Sequence, residues 1–419
     1  MYSGKGESIL RSLQKNARVG ENLFSLRDLN QKNIAAGLVS GIFIIIGPTA
    51  LILEGATKGQ FSMNETILWI FSVYVFGGLY GIILPLYYRI PIVGGHSISA
   101  VAFLATVTTQ FTYHELIGAY IMSGILMLLV GYLGFFSKLM KLVPKEIVGA
   151  MLAGMITKYM VNFVISTTQL IVVGAVSLVA FFIFSRWRGR IPPIIAAITA
   201  AFIAFLLSFP MQNSGLSVNF FVPQVQVPEF NLLSFLSVAI PLALLILSND
   251  AAVGLGALEQ NQYKTNVNRI ISSSGIFSII ASFFGGQSSN IAGMASAICS
   301  DEEAGPREKR YMGAVVSGIL LFSFGLLSWK LVPLIQLLPQ EFIAIIVGFS
   351  LIGVFGNSLH IGFSRPTMKV SAAFAFVIAL SNITIWNISA PVWSLLIGSF
   401  IAKYIEKDSM EKLEKRKTA

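Results

Sequence analysis

Asp250 lies in the stretch Leu247-Ser248-Asn249-Asp250-Ala251-Ala252, inside an otherwise apolar run covering residues 232–256. A carboxylate at depth in such a run is costly to place and is usually kept for function. Asp250 could bind and release a proton, which makes it a candidate for ion coupling. The plainer reading is an Asp near the inner end of its segment that reaches water. Asn249 beside it, and Gln287, Ser288, Ser289 and Asn290 further on, are candidate polar contacts for a solute, although Ser and Asn also cap helices. Gly94-Gly95-His96-Ser97 adds Gly95, His96 and Ser97 to the candidate site. A histidine titrates near neutral pH, so His96 is a second proton-coupling candidate, or else a hydrogen-bonded bystander in a polar turn.

Other chemistry is thinly represented. The sequence has three His and one Cys, Cys299, which reads as a small buried hydrophobe. No nucleotide-binding loop of the Walker type and no metal-ligand spacing occurs. Neither a metal nor a cofactor is expected, and ATP-driven pumping by this chain is not. No activated nucleophile is visible, so the chain does not read as an enzyme. Phe103 and Phe283 flank the candidate residues and could contact an aromatic ring, against a background of 32 Phe that pack in the core or face lipid. Glu54 reads as a gate or surface residue near an outer mouth. Lys158 either snorkels to that surface or faces an aqueous path and attracts an anion. Asp301-Glu302-Glu303 reads as a solvated loop.

The elements that must position these residues follow from composition. Of 419 residues 55% are hydrophobic and 11% charged, with a mean hydropathy of +0.77. Soluble domains carry about 25% charged residues. Too little polar surface remains for water, so the bilayer is the solvent. The net charge of +10 would suit nucleic acid on a soluble surface, but here the basic residues occupy short gaps between apolar runs, as the positive-inside rule requires. Nucleic acid is not an expected partner; lipid is.

Twelve continuous apolar segments are long enough to be spans: 33–53, 66–88, 114–135, 145–165, 168–185, 191–209, 232–256, 266–284, 311–330, 341–360, 369–383 and 389–405. Segments 90–109 and 285–300 are apolar but broken near their starts by Gly-Gly and Ser. Each reads as a discontinuous span, a short extended piece followed by a half-helix. The fold class expected is therefore an all-α polytopic membrane protein with fourteen transmembrane segments. With both termini cytoplasmic, only Lys58, Lys158 and Lys330 of the 29 Lys and Arg residues fall on the outer side. An odd span count would invert half the loops and destroy this bias. Residues 1–32 form a cytoplasmic tail with an interfacial helix near Ile9–Leu13, and no cleavable signal peptide is visible.

A weak duplication runs through the chain. Gly94-Gly95-His96-Ser97 matches Gly285-Gly286-Gln287-Ser288 at an offset of 191, Leu142-Val143-Pro144-Lys145-Glu146 matches Leu337-Leu338-Pro339-Gln340-Glu341 at 195, and Glu54 precedes Asp250 by 196. Halves of seven spans each must enter the bilayer from opposite faces, giving a 7+7 inverted repeat. Segments 3 and 10 are the discontinuous ones. Broken helices are tolerated in lipid where they line a polar site. Half-helices starting near Ser97 and Asn290 would meet at the midplane, and their free N–H groups would hold an anion without a buried Arg.

At these residues the chain resembles the benzoate/proton symporter (BenE) family over about residues 30–405. The resemblance is carried by Tyr88-Arg89-Ile90-Pro91-Ile92 before the Gly-Gly-His-Ser turn and by Val143-Pro144 through Ala150-Met151-Leu152-Ala153-Gly154. It continues in Ile240-Pro241-Leu242 leading to Asn249-Asp250 and in Ala295-Ser296-Ala297-Ile298-Cys299. The family is similar in fold to uracil and xanthine permeases and sulfate-type anion transporters. The resemblance implies a core domain (33–135, spans 1–4; 231–330, spans 8–11) moving elevator-like against a gate domain (136–210, spans 5–7; 331–405, spans 12–14), with a tail at 406–419. His96 and Asp250 depart from the family pattern. An Asp adds negative charge near an anion site, so it either carries a proton or suits a neutral, nucleobase-like solute.

The reading that results is a secondary active transporter of the bacterial inner membrane, taking up benzoate or a related aromatic carboxylate with a proton. The rivals are a nucleobase symporter on the same fold and an inorganic anion or dicarboxylate transporter or channel. Expected partners are a small organic anion, a proton, the bilayer and a second copy in a homodimer. Sodium stays open as the coupling ion, because Asp250, Ser and backbone carbonyls could form an oxygen site.

Overall fold

The computed structural model describes residues 26–136, 138, 144–186, 191–209, 221–386 and 388–406. The tail helix near Ile9–Leu13 and Leu142-Val143 of the duplicated motif lie outside the described residues. The protein is mostly helical: α1 (Gln31–Lys58), α2 (Met63–Tyr88), α3 (Ile98–Val107), α4 (Tyr113–Tyr132), α5 (Lys145–Gln169), α6 (Ile171–Arg186), α7 (Pro193–Ser208), α8 (Leu232–Gln260), α9 (Val267–Ser282), α10 (Gly293–Ser300), α11 (Tyr311–Leu326), α12 (Ser328–Gln336), α13 (Gln340–Gly362), α14 (Lys369–Ser381) and α15 (Ala390–Phe400). Two-residue strands β1 (Gly94–Gly95) and β2 (Asn290–Ile291) form one antiparallel pair, and β3 (Thr384–Ile385) and β4 (Ile388–Ser389) another. Among the described residues six helices are long and apolar enough to cross a membrane, and the bent pair α11–α12 makes a seventh. Five shorter apolar helices accompany them.

The local sequence explains where the helices start. Ser62 and Thr112 each precede a Glu by three residues, and both pairs close reciprocal capping boxes, Ser62–Glu65 at α2 and Thr112–Glu115 at α4. Asn30 and Asn33 do the same for α1. The segment expected at 311–330 ends earlier. The chain turns by 73° after Leu327, so Ser328, Trp329 and Lys330 belong to the separate helix α12.

Pro48, Pro85 and Pro241 sit inside long helices, where a proline leaves a carbonyl without its amide, and at two of them a neighbouring hydroxyl takes that carbonyl up. Pro48 frees the Ile44 carbonyl of α1, which accepts the Tyr74 hydroxyl at 3.1 Å. Pro241 frees the Ser237 carbonyl of α8, which accepts the Ser389 hydroxyl at 2.9 Å. Both repairs come from another helix or strand, so each proline also ties its helix to a neighbour.

Packing follows two clusters of helices. The helix α11 packs on α2 and α1, α9 on α4, and α10 on α1 and the end of α8. The helix α13 packs on α5, α14 on α5 and α15, and α6 on α7. Contact between α13 and α1, and between α3 and α5, joins the clusters. At the α1–α13 crossing a Cβ on Gly47 would overlap the Ser350 hydroxyl, so the helices approach as closely as small residues allow.

Glu406 was expected in the C-terminal tail. It is buried instead, and its carboxylate accepts the Val370 amide at 2.9 Å and the Ser371 amide at 3.2 Å at the N-terminus of α14. Glu406→Ala is expected to lower stability by about 1–2 kcal/mol, the usual range for a lost helix cap, read as a fall in Tm of the purified protein in detergent.

Candidate functional site

The β1–β2 pair and the two short helices that follow it form the centre of the candidate site. Register is Gly94↔Ile291 and Gly95↔Asn290. Gly94 is required here, because a Cβ would overlap the Gly77 carbonyl and Gly81 amide of α2 and lie 2.8 Å from the Gly81 Cα. Gly285-Gly286, which matches Gly94-Gly95 in sequence, does not pair with it; residues 290–291, five positions later, do. Gly285 instead makes a turn at φ +86°, and Gly286 packs on Ser72.

The helix α3 is ten residues long and α10 eight, about 15 and 12 Å at 1.5 Å per residue. Ser97 caps α3, its hydroxyl accepting the Ala100 amide at 3.1 Å. The second short helix begins at Gly293, not near Asn290, and its first residues have no side-chain cap. The Ala292 amide donates to the Val93 carbonyl at 2.8 Å and the Val93 amide to the Ser296 hydroxyl at 3.1 Å, and both tie the residue before β1 to the first turns of α10.

Asp250 is carried by a π-helical turn, Ile246–Ala251, within α8. Such turns interrupt regular helices and are frequent at functional positions. The Ser97 hydroxyl and the Gly293 backbone amide lie beside the carboxylate, so it sits near the start of both short helices. Its Oδ2 is buried without a partner.

A cavity of about 420 Å³ opens beside this carboxylate. Asp250, Asn249, His96, Ser99 and Asn357 supply its polar lining, and Phe43, Ile44, Ile98, Val253, Met294 and Val354 much of the apolar remainder. Among the described residues no Lys or Arg lines it. Both ring nitrogens of His96 are buried without partners, and its ring stands edge-on to Tyr74 at 5.0 Å.

The other expected residues sit behind the cavity. Gln287 accepts the Trp69 indole N–H at 2.6 Å. The Ser288 hydroxyl accepts the Ser97 amide at 3.4 Å, and the Ser289 amide donates to the Ser278 hydroxyl at 3.0 Å. Asn290 donates to the Ile291 carbonyl at 2.9 Å. These bonds fix the turn before α10. Gly95 lies in β1, against Ala292 and Ile44. Phe103 is fully buried in the core and Phe283 is partly exposed, and neither lines the cavity; Phe43 is its aromatic wall. Two further lining residues carry little signal in the sequence: Asn357, a polar residue within the apolar helix α13, and Ser99, which reads as an ordinary first-turn serine.

Glu54 and Lys158 lie elsewhere. They line a second cavity of about 790 Å³ formed by the ends of α1, α3 and α14, the start of α13 and the second half of α5. The two cavities occupy opposite ends of the α1–α13 crossing.

Membrane-length helices thus surround two short helices that follow the two strands of one β-pair, with a lined cavity beside their starts. The fold resembles the transmembrane domain of the cyanobacterial bicarbonate transporter BicA (TM-score 0.58, 16% identity, 90% of this chain and 98% of that one). It also resembles the murine anion transporter Slc26a9 in its inward-facing state (TM-score 0.61, 11% identity, 91% and 69%). The chain belongs to the benzoate membrane transport protein family, BenE, whose sequence profile matches residues 27–404. It is 26% identical over 364 residues to the benzoate membrane transport protein of Acinetobacter baylyi (strain ATCC 33305 / BD413 / ADP1), covering 87% of this chain and 92% of that protein. It is 28% identical over 351 residues to the inner membrane protein YdcO of Escherichia coli (strain K12), covering 83% and 88%. These relatives and neighbours place it among transporters and not among enzymes.

Proposed function

We propose that this protein takes up benzoate or a closely related aromatic carboxylate together with a proton, across an inner membrane, with both termini cytoplasmic. The observation that carries this reading is Asp250 beside the starts of α3 and α10, at the wall of a mostly apolar cavity that no described Lys or Arg lines. Helix N-termini favour an anion. Phe43, Val253 and Val354 suit the ring of the solute, while Asn249, His96 and Asn357 suit its carboxylate. Asp250 is the acidic residue lining this cavity. An anion bound beside it requires Asp250 to be neutral, which couples each anion to a proton.

We read the chain as fourteen segments in two inverted halves. The strand register supports this. With Gly94 equivalent to Asn290 and Gly95 to Ile291, an offset of 196, each residue pairs with the equivalent of its neighbour. A two-fold axis between the halves demands that reciprocity. The same offset relates Glu54 to Asp250. Movement of the α1–α4 and α8–α11 group against α5–α7 and α13–α15 is the elevator step, and the closely packed Gly47–Ser350 crossing between the two cavities is its sliding seam.

Reconstituted protein tests the reading. Neutral benzoic acid crosses lipid unaided, so the quantity to measure is the initial rate of labelled benzoate uptake above that of empty vesicles. An inward pH gradient is expected to raise this rate, a protonophore to remove the increase, and excess uracil to leave it unchanged. Insensitivity to the gradient, or competition by uracil equal to that by unlabelled benzoate, would overturn it.

A further inference from the structure

The larger cavity differs from the first in charge. Two lysines and one carboxylate line it. Lys58 is already engaged: its ammonium is 2.7 Å from Glu54 and lies 5.0 Å over the Tyr159 ring. Lys158 is exposed on the cavity wall and makes no ion pair among the described residues. Asn162, one turn further along α5, and Asn382 at the end of α14 add hydrogen-bonding side chains to the same cavity.

We propose that this cavity is a second anion site, a capture vestibule in which Lys158 receives the carboxylate of a small organic monoanion before it reaches the Asp250 cavity. The proposal rests on the functional reading above and names a separate site for the same solute. Glu54 neutralises Lys58 and leaves Lys158 as the uncompensated charge. A charge at the wall of a concave, low-dielectric site raises the local concentration of its counter-ion far more than the same charge on an open surface. The inner cavity has the opposite balance, with Asp250 and no described Lys or Arg, so an anion meets attraction first at Lys158. The cavities are close enough for one to feed the other: Ser99 in the inner lining and Ala105 in the outer are six residues apart on α3, about 9 Å. A cation would meet the uncompensated ammonium of Lys158, and an uncharged base would gain nothing from it.

The test reads local charge without needing transport. Asn162→Cys places a thiol in the vestibule, and the one native cysteine, Cys299, is buried. Alkylthiolation rates with anionic sulfonate-bearing and cationic ammonium-bearing methanethiosulfonates are compared, each relative to a free thiol in the same buffer. The anionic reagent is expected to be favoured by about fivefold or more. Adding Lys158→Gln should remove most of that preference, Lys158→Arg should keep it, and raising salt to about 0.5 M should weaken it. Millimolar benzoate should slow labelling. A thiol with no charge preference, a preference indifferent to Lys158→Gln, or labelling unaffected by benzoate would overturn the proposal. A chain that moves no benzoate yet retains the Lys158-dependent preference and benzoate protection would overturn the functional reading alone.

Discussion

Asp250→Asn is expected to reduce pH-driven benzoate uptake about 100-fold, a loss on the order of 2.7 kcal/mol, while counterflow exchange of benzoate stays within about tenfold of the unmodified protein. The amide has the shape of the carboxylate, and the bonds that hold β1, β2 and α10 together do not involve this side chain, so the junction between α3 and α10 persists. What it cannot do is take up or release a proton. Net uptake requires the binding site to return empty and discharged, whereas exchange requires only that solute travel both ways. The two assays therefore separate a lost coupling group from a damaged fold. Both rates falling together would assign Asp250 to structure, and pH-driven uptake above about a tenth of the original would remove it from coupling.

Gly94→Val is expected to cost about 3 kcal/mol or more, beyond the usual range for an overpacked core. The obstacle is backbone, not a side chain that can turn aside. A Cβ at residue 94 runs into Gly77 and Gly81 of α2, and β1 cannot retreat without losing Ile291 across the pair. Gly256→Ala is the matching control, because a Cβ there has open space around it. In a helix it should hold or raise stability by up to about 1 kcal/mol. Thermal unfolding in one detergent reads both, and a Gly94→Val protein as stable as the Gly256→Ala protein would refute the close approach.

Comparing the expectations with the structure shows what each kind of signal encodes. Long apolar runs mark helices because a membrane solvent leaves the backbone few alternatives. The start of α3 was legible because Ser97 is a recognisable cap after a glycine pair that only a crowded backbone requires. The start of α10 is at Gly293, three residues past the expected Asn290. Asn290 and Ile291 pair through backbone groups, which any residue provides, so no side chain announces β2. The nearby Gly285-Gly286 is a true glycine signal, but for a turn. The cavity's far wall was hidden for another reason. The helix α13 is apolar around its circumference, so nothing in its sequence says which face carries Val354 and Asn357 toward Asp250. Asp250 itself was conspicuous because charge is rare in such a segment. Its place near the start of both short helices depends on the π-helical turn, which no local sequence pattern specifies.

The repair at Pro241 has a mechanical meaning. Ser389, the residue before α15, donates twice, its hydroxyl to the Ser237 carbonyl at 2.9 Å and its amide to the Ser237 hydroxyl at 3.4 Å. A body fastened near one end swings about the fastening. Asp250 lies thirteen residues along α8 from Ser237, a lever of about 20 Å, so each 10° of rotation would carry the carboxylate through an arc of roughly 3.5 Å. Travel of the solute would then be curved and graded along α8, greatest at the helix end remote from the serine clasp.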